Sequence, residues 1–368
     1  MRILFVNHAF PGTFGALAAA FAAGGHEVLF ASGFRRRDFT LAGVRHVVLA
    51  SSREARAGGS SRYAPGLEGA ISVGSHALHA FRRLGESGMA PDMIVLSASD
   101  GYGLFCEEAF PHAFRVGWAE GAKAFLTEKA RGEPTFTRHL LQCRHALSSH
   151  LVLCPGTGER SLFSSRLAHG RDVPCPVNTG WFSPGEKRRP ELVLFHAGRD
   201  GAAEDLTMVA GLLTARGTCR AAVLCDGPSV REQWMQACAA LPEKSRPYVP
   251  GQLSLEEYRS LLRGASLVMF PRPDLPSSVL LEAMSCGVVP VLPEGAGPSF
   301  LHHGKNAFFF RTGEESGRFL SALLDGELAS VQDAARRDVL ARFEQKNVTA
   351  LHMKLLLDEY ARWKNKGC

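Results

Sequence analysis

Two carboxylates, Asp274 and Glu282, are the side chains of this 368-residue sequence whose spacing most clearly suits a chemical role. They lie on either side of a turn rich in proline and serine, and the apolar segment 283–291 follows. The unpaired N–H groups at the start of a helix favour a phosphate, and an acid one turn further can accept hydrogen bonds from a ribose diol. The pattern favours a nucleotide site, with a solvated carboxylate on an ordinary helix as the alternative.

The residues before Glu282 predict a strand that leads into this helix. An apolar run occupies 267–270, and the three prolines and two serines of 271–278 predict a loop. Ser277 or Ser278 can cap the helix that follows. Both serines are therefore expected at its phosphate-binding end.

Short apolar segments alternate with helical patterns along the whole chain, which is typical of parallel sheets covered by helices. The expected strands are 3–7, 27–31, 92–96, 115–118 and 151–154 in a first series and 192–195, 221–225, 267–270 and 288–292 in a second. Proline-rich stretches at 174–176 and 183–190 separate the series, and 53–65 is expected to be an exposed loop. The sequence predicts two doubly wound α/β domains.

Composition excludes several classes of protein. Hydrophobic residues make up 45% of the chain and charged residues 21%, which is typical of a globular protein. Apolar runs are too short to span a bilayer, and the N-terminus does not resemble a signal peptide, so we expect a cytoplasmic protein. Nine cysteines without paired metal-ligand spacing predict reduced thiols and no zinc site. The sequence has neither a nucleophile elbow nor a phosphate loop, which disfavours a hydrolase and an NTPase.

Charge gives a weaker indication of partners. The net charge is +6, and no nucleic-acid partner is expected. Phe34 and the arginines at 35–37 would suit an anionic substrate or an anionic membrane surface, with a solvated loop as the alternative. Peripheral contact with the inner face of a membrane is therefore one expectation for this segment.

The segment from Asp274 to Gly287 resembles the donor-site signature of retaining glycosyltransferases of family 4 (group 1), which have the GT-B fold. The resemblance extends to 225–228, to 251–258 and to 265–271, and in the N-terminal half to 7–14 and 25–28. It implies two Rossmann-like domains facing a cleft, an acceptor-side domain at 1–176 and a nucleotide-sugar domain at 177–345. Residues 346–368 would form a C-terminal helix that crosses back to the first domain.

The activity implied by the resemblance is transfer of a sugar from a nucleoside diphosphate sugar with retention at the anomeric carbon. No metal or other cofactor is expected. The acceptor would be a glycan, a lipid-linked sugar, a protein or a small molecule, and the sequence leaves this choice open. Two alternatives remain, a non-catalytic GT-B protein that acts as a binding or assembly partner and a sugar-nucleotide epimerase of related architecture.

The resemblance also implies roles for individual residues. Arg199 would hold the diphosphate, Asp274 would reach the donor sugar, and Glu120 would help to position the acceptor; these three are the candidate catalytic residues. The set implied for nucleotide-sugar binding is Gly12, Arg199, Gln252, Leu253, Asp274, Ser277, Ser278 and Glu282. Within it, Gly12 would let the backbone approach the phosphates, and the backbone near Gln252 and Leu253 would contact the base.

Three positions depart from the family pattern. Asp274 replaces the usual glutamate, Glu204 stands where a lysine is usual, and Ser97 lies near the place of a frequent histidine. A carboxylate at Glu204 cannot neutralise a diphosphate, and a unit charge about 4 Å away is worth up to roughly 4 kcal/mol at an effective dielectric constant near 20. These departures are what favour the non-catalytic alternative.

Overall fold

The structure is a computed structural model that describes residues 1–35, 39–49, 64–120, 133–156, 167–186, 191–197, 202–225, 228–272, 277–311, 313–326 and 328–367. It divides into two compact units. Unit 1 comprises Met1–Pro174 and Lys346–Cys368, and unit 2 comprises Cys175–Gln345. Each unit is built on one sheet, and the pairings within both sheets are parallel.

Unit 1 has a seven-stranded sheet in the order β3-β2-β1-β4-β5-β6-β7. Its strands are β1 Arg2–Phe10, β2 Glu27–Arg35, β3 Val44–Val48, β4 Met93–Ser97, β5 Phe114–Trp118, β6 Leu151–Gly156 and β7 Gly170–Pro174. The described helices of this unit are α1 Gly15–Ala23, α2 Ala64–Glu86, α3 Cys106–Ala109 and α4 Glu133–Ser148, together with the last helix of the chain, α11 Gln345–Asn365. Central strands are largely apolar because helices cover both faces of a parallel sheet, and in β4 the first four of five residues are apolar and buried.

Unit 2 has a five-stranded sheet in the order β12-β11-β10-β8-β9. Its strands are β8 Leu192–Ala197, β9 Arg220–Cys225, β10 Leu267–Met269, β11 Val289–Pro293 and β12 Phe308–Phe310. Its described helices are α5 Ala202–Ala215, α6 Pro228–Ala239, α7 Leu255–Gly264, α8 Ser277–Ser285, α9 Gly313–Asp325 and α10 Ala329–Phe343. Two apolar clusters cover the two faces of this sheet. The predicted α/β fold with two parallel-sheet domains is confirmed.

Several local predictions need correction. β1 continues to Phe10, so His8 lies inside the strand rather than after it. Strands β3, β7 and β12 were not predicted, because their sequences are short and only partly buried. The expected loop at 53–65 overlaps the start of α2 at its last two residues, and its other residues lie outside the described ranges.

Helix α11 packs on unit 1. Leu356 is fully buried in the same cluster as Phe21 and Phe114. The Trp363 ring lies 5.4 Å from the Phe114 ring and 5.1 Å from the His150 ring, measured between centroids. Burial of this helix face is what joins residues 346–368 to the first part of the chain. Of the helices in the described ranges, none combines the length and the apolar character that crossing a bilayer requires.

Candidate functional site

Topology identifies one edge of each sheet as the place for a site. In unit 2 the chain runs outward from β8 to β9 on one side and from β10 to β11 and β12 on the other. A crevice forms at the carboxyl ends of strands where the order reverses in this way, and ligands bind there in open α/β sheets. The segments that follow β8 and β10 border this crevice, and they contain most of the predicted donor residues.

Glu282 lies on α8, the helix that follows β10, and is only partly exposed. The hydroxyl of Tyr258 on α7 donates a hydrogen bond to its Oε2 at 2.8 Å. Burial raises the pKa of the Glu282 carboxyl to about 7, and the Tyr258 hydrogen bond opposes part of this shift. A carboxyl group with a pKa near neutrality changes charge in the physiological range. Such perturbed groups concentrate at functional sites.

The two serines lie in the first turn of α8. The helix begins at Ser277, so neither serine occupies the predicted cap position; Ser277 is partly exposed and Ser278 exposed. The main-chain N–H groups of this turn lack partners within the helix and remain suited to an anion.

Gln252 and Leu253 lie immediately before α7. Ser254 caps this helix, accepting a hydrogen bond from the Glu257 N–H at 3.2 Å, while the Glu257 carboxylate accepts from the Ser254 N–H at 2.8 Å. This reciprocal pair is a capping box. Gln252 is exposed, and Leu253 packs against the unit 2 core. Leu253 therefore anchors the segment, and Gln252 stays accessible to a ligand.

One further cation lies close to the same edge. Arg272 follows β10 and forms an ion pair with the buried carboxylate of Asp205, at 3.4 Å from each Asp205 oxygen. Sequence reasoning did not identify Arg272, because an isolated arginine in a proline-rich loop carries no motif. Its guanidinium places positive charge just before the predicted donor loop.

Three residues of the sequence prediction cannot be compared with the structure. Arg199 and Asp274 lie outside the described residues. Glu204 belongs to α5, but its side chain also lies outside the description. In the sequence, Arg199 follows β8 by two residues, and Asp274 lies between β10 and α8.

Gly12 lies in the loop after β1, at the corresponding edge of unit 1. The order of this sheet reverses between β1 and β4. Gly12 has φ +46°, and a Cβ atom there would lie 2.3 Å from Nδ2 of Asn7. Only glycine fits this position without rearrangement.

Asp100, which follows β4, ties the ends of two strands together. Its Oδ2 accepts from the His8 N–H and its Oδ1 from the Tyr102 N–H, both at 3.1 Å. Burial raises the pKa of the Asp100 carboxyl to about 7, although hydrogen bonds from Tyr102, Ser97 and His8 lower it. No sequence pattern indicated this role, since the two main-chain donors come from segments far apart in the chain.

Glu120 lies directly after β5 and is exposed. The indole Nε1 of Trp118 donates to its Oε1 at 3.2 Å, and the Nε2 of the buried Gln142 donates to its carbonyl oxygen at 3.0 Å. The same Gln142 nitrogen donates to the Ser99 hydroxyl at 2.9 Å. Glu120 is therefore an accessible carboxylate on a fixed main chain, at the same edge of unit 1 as Gly12 and Asp100. Nowhere in the described ranges do three or more metal-ligating side chains gather into a possible metal site.

The chain is similar to known proteins in two ways. A family model matches part of its sequence, and solved structures match nearly the whole of its fold. Residues 24–141 match the family model described as glycosyl transferase family 4 group. Sucrose-phosphate synthase from Thermosynechococcus elongatus is 15% identical, with 98% of this chain and 100% of that chain covered and a TM-score of 0.73. HepE of Anabaena in complex with UDP and glucose is 14% identical, with coverage of 97% and 99% and a TM-score of 0.69.

A putative UDP-N-acetylglucosamine 2-epimerase from Listeria monocytogenes is 12% identical, with coverage of 98% and 97% and a TM-score of 0.61. No protein of curated function matches the sequence. The family match confirms the predicted resemblance over residues 24–141, and the structural likeness confirms the GT-B fold.

Proposed function

We propose that this chain is a glycosyltransferase that takes a sugar from a nucleoside diphosphate sugar bound to unit 2 and transfers it to an acceptor with retention at the anomeric carbon. The observation that carries the proposal is the partly buried Glu282 carboxylate, held at the carboxyl edge of β10 beside the start of α8. One turn of helix thereby offers N–H groups for phosphate and an acid for the ribose diol.

Departure of the nucleoside diphosphate requires compensation of its developing negative charge. Preorganised N–H groups and cations supply this without a metal. The first turn of α8, Arg199 and Arg272 are the groups assigned to this task. Arg272 can donate hydrogen bonds next to the donor loop, but its charge is already balanced by the ion pair with Asp205, so it does not offset the loss of the lysine that Glu204 replaces.

Unit 1 is assigned to the acceptor. Glu120 presents an exposed carboxylate that can accept a hydrogen bond from an acceptor hydroxyl, and its main chain is held by Gln142. The positive φ of Gly12 lets the main chain turn directly after β1, and its missing side chain accommodates the Asn7 amide. Asp274 is assigned to the hydroxyl groups of the donor sugar. The acceptor class stays open among a glycan, a lipid-linked sugar, a protein and a small molecule.

The first test measures thermal stabilisation of the purified protein by UDP, GDP, ADP and their glucose conjugates. A ligand at about a hundred times its dissociation constant adds roughly 2.7 kcal/mol of stability, so a selective shift of the melting temperature identifies the base. Replacement Glu282→Ala should weaken binding of that nucleotide about tenfold or more, because a charged hydrogen-bond partner contributes about 1.5–3 kcal/mol. Glu232→Ala, at an exposed position on α6, is the matched control and should change nothing.

Two alternatives predict different outcomes. A non-catalytic GT-B protein, favoured by Glu204 and Ser97, would bind a nucleotide without releasing the sugar to any acceptor, or would bind none. An epimerase would convert the free nucleotide sugar without an acceptor, which NMR of the sugar protons detects. Absence of nucleotide binding by the folded wild type would contradict the proposal.

A further inference from the structure

Tyr258 joins two parts of the nucleotide site that are separate in the sequence. It lies one turn into α7, close after Gln252 and Leu253, which are assigned to the base. Its hydroxyl donates to Glu282 on α8, which is assigned to the ribose. One side chain therefore connects the base segment to the ribose carboxylate.

The Tyr258 ring is itself held in place. It packs against the unit 2 core and meets the Phe182 ring edge to face, at 6.1 Å between centroids and 75° between planes. The carbonyl oxygen of Phe182 accepts from the Ser285 hydroxyl at 2.5 Å, which fixes Phe182 against the end of α8. The Tyr258 ring is thus held by the unit 2 core while its hydroxyl donates to Glu282.

We propose that Tyr258 is a positioning residue for nucleotide recognition: it holds Oε2 of Glu282, favours the ionised form of the carboxyl group and orients it for the ribose hydroxyls. The ribose part rests on the proposed function, whereas the coupling between Tyr258 and Glu282 does not. Tyr258 donates only through its hydroxyl, so a phenylalanine keeps the packing and removes the proposed role alone.

The other charged groups near the carboxylate have identified neighbours. Cys286 on α8 has its thiol pKa raised to about 12, first by burial and then by Glu282. Arg259 on α7 stacks over the Trp181 ring at 4.2 Å, and Arg263 on α7 donates to the Pro184 carbonyl oxygen at 3.3 Å. Arg336 on α10 donates to the Ser285 carbonyl oxygen. Each of these three arginines lowers the Cys286 pKa, whereas for Glu282 the Tyr258 hydrogen bond is what favours the ionised form.

The sign of the effect follows from linkage. The pKa of Glu282 is about 7 in the folded protein against an ordinary value of 4.5, so its contribution to stability is fully present below about 4.5 and is lost as the pH rises through 7. Removal of the Tyr258 hydroxyl raises this pKa further. The ionised carboxylate then forms only at higher pH, and ribose binding follows it.

A first experiment measures the affinity for UDP-glucose, or for whichever glucose conjugate the wild type binds, between pH 6 and pH 9. In Tyr258→Phe we expect affinity about tenfold weaker at pH 7, a smaller loss at pH 9 and a midpoint shifted to higher pH, since a hydrogen bond to a charged group has about this effect. Tyr248→Phe removes the hydroxyl of an exposed tyrosine in the same unit and should leave the profile unchanged. An unshifted midpoint in Tyr258→Phe would overturn the proposal.

A second experiment needs no ligand. Stability against urea is measured at pH 5 and pH 8 for the wild type, Tyr258→Phe, Glu282→Gln and the double variant. We expect Tyr258→Phe to enlarge the loss of stability from pH 5 to pH 8, and expect no such enlargement when glutamine replaces Glu282. An equal effect in both backgrounds would reject the coupling. A wild type that binds no nucleotide but shows the coupling would contradict the proposed function and leave the positioning of Glu282 supported.

Discussion

Gly12 shows how a single residue can be required by geometry alone. Its φ of +46° lies in the region that favours glycine, and the position of a Cβ atom is already filled by the Asn7 amide. Gly25 has φ +79° but no atom within 4 Å of its Cβ position. A substitution at Gly25 therefore tests backbone strain alone, whereas a substitution at Gly12 tests backbone strain together with steric overlap.

We predict that Gly12→Ala lowers the free energy of unfolding more than Gly25→Ala does. The strain at positive φ costs of order 1–3 kcal/mol at either site, and Gly12→Ala adds displacement of Asn7. Urea denaturation of both variants measures the difference. Equal losses would show that Asn7 moves away freely and that steric overlap plays no part.

Only some residues of the candidate site could be predicted from the sequence. Glu282 and its place one turn into a helix could be predicted, because cap signals, an apolar run and helical spacing are local features. Tyr258 could not, since it is 24 residues from Glu282 and only the packing of α7 against α8 brings the two together. The raised pKa of Glu282 has the same origin, because burial depends on the whole of unit 2.

Helix α7 connects the segment that we assign to the base with the carboxylate that we assign to the ribose. Its first turn is closed by the capping box of Ser254 and Glu257, directly after Gln252 and Leu253. A helix without its cap frays at that end, and the residues before it lose their fixed position. The order of the base segment therefore depends on one serine hydroxyl.

We predict that Ser254→Ala reduces stability by about 1 kcal/mol and speeds amide hydrogen exchange at 251–258, because the Glu257 N–H loses its capping partner. Ser254→Thr retains a capping hydroxyl and should restore slow exchange. Mass spectrometry of peptides from this segment makes the measurement. Unchanged exchange in Ser254→Ala would show that packing of Leu253 is sufficient to order the turn.

Strands differed in how well they could be predicted, for a physical reason. β10 is apolar along its length and β4 is apolar up to Leu96, because both faces are buried there, which leaves a strong local signal. β3 is largely exposed at the sheet edge, and β7, with the sequence Gly-Arg-Asp-Val-Pro, has one buried residue. Such strands form because their main chain pairs with a neighbouring strand. This pairing leaves no pattern of apolar residues in the sequence.

At the scale of the whole molecule, titratable groups with shifted pKa values are distributed unevenly. In unit 1, burial lowers the pKa of His145, His150 and His352 to about 4, from an ordinary value of 6.5. Asp100 in unit 1 and Glu282 in unit 2 have pKa values raised to about 7. A lowered histidine pKa contributes stability that is lost as the pH falls through 6.5 toward 4, whereas a raised carboxyl pKa acts in the opposite direction.

We therefore predict that unit 1 loses its structure before unit 2 on acidification from pH 7 to pH 4. Hydrogen exchange by mass spectrometry, with peptides assigned to each unit, compares the two at each pH. His352→Phe keeps a ring against Trp118 and removes one titrating group, so it should move the acid midpoint of unit 1 to lower pH. The exposed His112→Phe is its control. Loss of protection in unit 2 first would contradict the prediction.

The chain enters and leaves unit 2 at neighbouring points, with consequences for its synthesis. The Val177 N–H donates to the Phe343 carbonyl oxygen, and the Gln345 N–H donates to that of Val177, both at 2.8 Å. Unit 2 is thus a continuous insertion in unit 1, whose last helix, α11, is translated only after unit 2 is complete. During translation, the strands of the first sheet are therefore complete before α11 is made, and the surface around Phe114 that α11 covers stays exposed until then. Truncation before α11 would leave that surface open to chaperones and to aggregation.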